Sequence, residues 1–105
     1  MTLTDLQRLS ASQSELVLPY PRAVEALQIM EATGATLLGW EGWLRYPDGS
    51  LGHSDIHQGT TDTSALSSSE TYIWANTTMN LAQKEHEIQN GTTSIKLLFC
   101  ITADV

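Results

Sequence analysis

His53, Asp55 and His57 stand at alternating positions in the run Leu51-Gly52-His53-Ser54-Asp55-Ile56-His57-Gln58. On an extended strand, side chains two apart project from one face, so this spacing would present two imidazoles and a carboxylate together. That donor set suits zinc or iron, and Glu41, placed across a hairpin, could add another oxygen. The competing reading is a polar, solvent-facing strand with Ile56 on its other face. His-x-Asp-x-His lacks the helix-borne spacing of the specific zinc motifs, and no second cluster accompanies it. Cys100 raises a different chemistry, a thiol nucleophile with a distant histidine as base. A reactive thiolate needs an exposed, electropositive setting, whereas Phe99-Cys100-Ile101 is an apolar run suited to core packing. The serines, histidines and aspartates form no nucleophile-elbow pattern, and no glycine motif that cradles phosphate is present.

The elements that would hold these residues follow from periodicity and punctuation. Thr4-Asp5 can cap a short helix through Leu6 and Leu9, and Glu15 to Leu18 can form an edge strand. Pro21 fits a first helical position, with an apolar stripe of Ala23, Val24, Leu27 and Met30, and Gly34 fits the stop. Ala35 to Tyr46 reads as a strand with Leu38, Trp40, Leu44 and Tyr46 on its core face. Leu37, Gly39, Glu41, Trp43 and Arg45 fall on the other face, and Gly42 suggests a bulge or a close backbone approach. Pro47-Asp48-Gly49-Ser50 is a turn, and a second strand from Leu51 to about Gln58 completes a hairpin. Residues 59 to 69 read as a polar loop. Ser67 and Glu70 then have the spacing of a capping box for a second long helix. Two stripes run along that helix, one through Trp74, Thr78, Leu81, Glu85 and Ile88, the other through Tyr72, Ala75, Met79, Ala82 and His86. Asn90-Gly91 ends it, and Ser94 to Ala103 is apolar enough to be a central strand. The expected fold is α+β: a single small domain, residues 1–105, whose antiparallel sheet with a central hairpin packs against two helices.

Charge narrows the class of partner. Five Lys and Arg face twelve Asp and Glu, a net charge of −7, so a phosphate backbone would be repelled and direct nucleic-acid binding is not expected. Residues 41–70 hold five acids (Glu41, Asp48, Asp55, Asp62, Glu70) against Arg45, so the middle of the chain is the candidate acidic face. No apolar run approaches the roughly 20 residues that span a bilayer, and the N-terminal residues lack the apolar stretch of a secretory signal. One cysteine without a partner suits a reducing cytoplasm.

The pattern of glycines and aromatics in Leu38-Gly39-Trp40-Glu41-Gly42-Trp43, continued by Asp48-Gly49 and Gly52-His53-Ser54, resembles small immunity proteins of bacterial polymorphic toxin and contact-dependent growth inhibition systems. The resemblance covers roughly residues 20 to 102. It implies a cytoplasmic, non-enzymatic antitoxin without a cofactor. Such a protein binds one cognate toxin domain, often a basic nuclease and here an RNase of the EndoU type, and blocks its active site or substrate groove. The residues expected to touch the toxin are Glu41, Trp43, Tyr46, Asp48, Asp55 and Asp62, with His53 and His57. The alternative is a small metal-dependent enzyme or ligand-binding domain built on His53, Asp55 and His57.

Overall fold

The computed structural model describes residues 2–59, 67–91 and 94–104, and for residues 55–59 the backbone alone. The elements run α1 (Leu3–Leu9), β1 (Leu16–Pro19), α2 (Arg22–Thr33), β2 (Thr36–Arg45), β3 (Leu51–Gly59), α3 (Ser68–Asn90) and β4 (Lys96–Asp104). The four strands form one antiparallel sheet in the order β1-β4-β2-β3. The expected α+β architecture is present. The hairpin supplies the central strand β2 and the edge strand β3, and β4 is central as its composition suggested.

The helix boundaries have local causes. Thr2, two residues before the expected cap, starts α1: its hydroxyl accepts the Asp5 N–H, and the Asp5 carboxylate accepts the Thr2 N–H at 3.0 Å. Ser67 caps α3 by accepting the Glu70 N–H at 3.2 Å. Gly34 ends α2 in the left-handed region, φ 80°, where a side chain would be strained. The polar loop expected over residues 59–69 lies mostly outside the described residues.

Helices α1, α2 and α3 cover one face of the sheet. Leu6, Ala23, Ala26, Leu27, Met30, Tyr72, Ala75, Met79 and Ala82 meet Leu16, Leu18, Leu37, Trp40, Leu97, Phe99 and Ile101 there. Phe99 is fully buried, with the Trp40 ring edge-on at 5.1 Å between centroids. Of the two α3 stripes, the one through Tyr72, Ala75, Met79, Ala82 and His86 faces the core, while Leu81 and Ile88 are exposed. Ala75 and Ala82 permit close approach, and polar groups pin the helix. Trp40 Nε1 donates to Thr78 Oγ1 at 2.9 Å, the Tyr72 hydroxyl donates to the Ala35 carbonyl at 2.6 Å, and Asn80 Nδ2 donates to the Tyr20 hydroxyl at 2.9 Å. Burial, helped by the Glu31 carboxylate, raises the Tyr72 phenol above its ordinary pKa and keeps it a donor.

One face assignment is corrected. Leu38 was expected inside and Leu37 outside, yet Leu37 is 3 % exposed and Leu38 is 53 % exposed. The β2–β4 register shifts between Leu37 and Gly39, and that extra residue exchanges the two leucines between faces. Tyr46, also expected on the core face, is partly exposed at the hairpin end, where its ring lies over Gly52.

The Tyr72–Ala35 bond is buried, so its loss strands a carbonyl. Tyr72→Phe is expected to lower stability by about 1–2 kcal/mol. A lower urea midpoint at unchanged slope is the expected reading.

Candidate functional site

The other face of the sheet, opposite the helices, carries the residues singled out around Glu41. A small apolar cluster of Val17, Leu98 and Cys100 is buried there under Ala11 and Trp43. The cover over Val17 is the turn after α1: Ser10 Oγ accepts the Val17 N–H at 2.8 Å and donates to the Glu15 carbonyl at 2.6 Å. The Ala11 N–H donates to the Val17 carbonyl at 2.9 Å.

Trp43, Glu41 and His53 come together as a unit. Trp43 pairs with Leu98 on one side and with His53 on the other. Its indole N–H donates to Glu41 Oε1 at 3.2 Å, and its ring lies 5.0 Å from the His53 ring. His53 Nδ1 is 3.8 Å from the same Glu41 oxygen, so a protonated His53 would form an ion pair there. Both polar partners are substantially exposed, and Trp43 is half-buried. The result is an indole held in one orientation with an open edge.

The remaining expected residues fall elsewhere or beyond view. Asp48 holds the hairpin turn, accepting from the Ser50 N–H at 2.9 Å and the Ser50 hydroxyl at 2.6 Å. These bonds hold its carboxyl below the usual carboxylate range. Tyr46 sits with Asp48 at this end of the hairpin rather than beside Trp43. The side chains of Asp55 and His57, and all of Asp62, lie outside the described residues.

The backbone of β3 alters the premise behind His53, Asp55 and His57. Glu41 pairs with Gln58 and Trp43 with His53, so residues 54–57 stand opposite Gly42 alone. This is the irregularity expected at Gly42, carried by the partner strand. The simple alternation that would place all three side chains on one face requires an unbroken ladder, and this ladder is interrupted between His53 and Gln58. Among the described residues, no group of three His, Cys, Asp or Glu side chains is arranged to hold a metal ion.

Several residues on this face were not anticipated. The parity of β4 places Thr102 and Asp104 on the face that carries Cys100, and Glu15, just before β1, lies near enough to act on the Cys100 thiol. The flipped Leu38 joins Gly39, Trp40, Glu41 and Thr102 around an open depression of about 240 Å³. At the opposite end, Arg45 pairs directly with Lys96. The sequence signal for those on β2 and β4 was strand parity, which needs the strand order and the bulge before it can be used.

A second open groove, about 290 Å³, runs between the C-terminal half of α3 and the β1–β4 edge, lined by Tyr20, Gln83, His86 and Asn90. Its histidine is engaged in holding the fold, with His86 Nε2 3.0 Å from the Ile95 carbonyl oxygen.

Among the described residues no helix is long and apolar enough to cross a membrane. Comparison of the chain with protein-family models, with curated proteins and with solved structures yields no match.

Cys100 lies beneath this face, and its thiol is pushed up to about 12 by burial and then by the Glu15 and Glu41 carboxylates. Relative to a thiol at 9.0, that suppresses the thiolate roughly a thousandfold. Native protein at pH 8 is expected to resist a disulfide reagent that titrates one thiol per chain in urea. Because the folded-state value is raised, this thiol's stabilising contribution is complete below about pH 9 and is lost as pH climbs toward 12. Rapid native labelling at pH 8 would contradict the assignment.

Proposed function

We propose that the protein is a cytoplasmic immunity protein that binds one cognate toxin domain and neutralises it by covering its active site or substrate groove. The proposed toxin is a basic nuclease, with an EndoU-type RNase as the specific candidate. The observation that carries the reading is the Trp43–Glu41–His53 unit on the sheet face opposite the three helices. An indole already oriented by a hydrogen bond loses little freedom on binding, which is the property of an interface anchor. The depression beside it, walled by Leu38 and Thr102, can receive a side chain from the partner.

The charge distribution supports a basic partner. The net charge of −7 attracts such a protein from a distance, Glu41 and Asp104 concentrate acid on the same face, and Glu15 lies near enough to act on Cys100 beneath it. Carboxylates presented in this way mimic the phosphates that a nuclease groove is built to hold. Acidic side chains would then set encounter rate and register, while Trp43 supplies affinity. Nuclease–immunity pairs of this kind can reach dissociation constants of about 10⁻¹³ M or below. Tyr46, Asp48, Asp55, His57 and Asp62 complete the proposed contact set.

The test is co-expression with the C-terminal domain of a toxin encoded immediately upstream, scored for restored growth and co-purification. Trp43→Ala is expected to weaken binding by about 30-fold or more while leaving the far-ultraviolet circular dichroism unchanged. A wild-type protein that neither rescues growth nor co-purifies would overturn the proposal.

A further inference from the structure

Arg45 and Lys96 are directly opposed Cα partners at one end of the outer face. Two residues along each strand comes the Trp43–Leu98 pair, so the two cations share the face that carries Trp43. Both are exposed, and among the described residues neither pairs with a carboxylate. Like charges placed directly across a sheet are destabilising. The arrangement is conspicuous in a chain with only five Lys and Arg but twelve acids. Two of those five are spent on a juxtaposition that costs stability, where one acid would have given a stabilising pair. Local rules broken in this way mark places where binding, not folding, sets the residue.

The same face is acidic at its other end. Glu41 lies four residues from Arg45 along β2, roughly 13 Å at strand spacing. That exceeds the screening length of about 8 Å at physiological ionic strength, so the two ends act as separate charges rather than cancelling. Glu15 and Asp104 flank the acidic end, and Trp43 stands between the poles.

Resting on the immunity reading, we infer that Arg45 and Lys96 together grip a carboxylate of the toxin domain. The toxin surface is therefore basic where it meets Glu15, Glu41 and Asp104, and acidic where it meets the Arg45–Lys96 pair.

The test measures association and dissociation rates between the intact protein and the toxin domain at low and physiological salt. Glu15→Lys with Glu41→Lys is expected to slow association about tenfold at low salt, as loss of steering requires. Arg45→Glu is expected to raise the dissociation rate at least tenfold. In the free protein the same change should hold or raise the urea midpoint, because the new carboxylate faces Lys96. Arg45→Gln with Lys96→Gln, which removes both charges and introduces none, should shift dissociation in the same direction. If the wild type binds and neither Arg45 variant dissociates faster, this inference fails while the immunity reading stands. If the wild type does not bind, both fall.

Discussion

Strand β4 is apolar on both faces, and this constraint organises the molecule. Leu97, Phe99 and Ile101 need cover on one side, Leu98 and Cys100 on the other. A strand buried on both faces must be flanked by neighbours on both edges, which β1 and β2 provide. Three helices close one side. On the other, among the described residues, cover comes from the turn containing Ser10 and Ala11, together with the Trp43 indole. Trp43 therefore serves two masters, sealing Leu98 and Cys100 beneath it while presenting an edge to solvent. Glu41 holds it in that posture, so the proposed binding face is a by-product of how an apolar central strand had to be covered.

The sequence made the architecture legible wherever punctuation and composition agreed. Gly34 and the Pro47–Ser50 turn bound β2 where the structure does, and the apolar Leu97–Ile101 run is central. What it hid was parity. A single additional residue at the Leu37–Gly39 bulge exchanges two leucines, and both are equally hydrophobic, so composition carries no trace of the exchange. The two stripes of α3 were both apparent, but choosing between them required knowing how near the helix lies to the sheet. Small residues at Ala75 and Ala82 settle that choice only once the sheet is in place.

Glu41, Trp43 and His53 were legible as a group because they are close in sequence and share a hairpin. Asp48 was legible as part of the Pro47–Ser50 turn, where its carboxylate accepts from Ser50. Arg45 and Lys96 were illegible as a pair, since fifty residues separate them and only strand order brings them together. The same holds for Glu15, whose place beside Cys100 depends on β1 joining the sheet at β4 rather than at β3.

The polar ties of α3 to Ala35, Trp40 and Tyr20 lie entirely on the helical side of the sheet. Apart from Trp43, which also seals Leu98 and Cys100, the residues that hold the helices and those proposed for recognition thus lie back to back across one layer of backbone. A lineage under pressure to follow a changing partner can rewrite Leu38, Glu41, Thr102, Arg45 or Lys96 one at a time while the helical core stays untouched. The sheet works as an insulating wall: it lets one surface evolve quickly and keeps the other still.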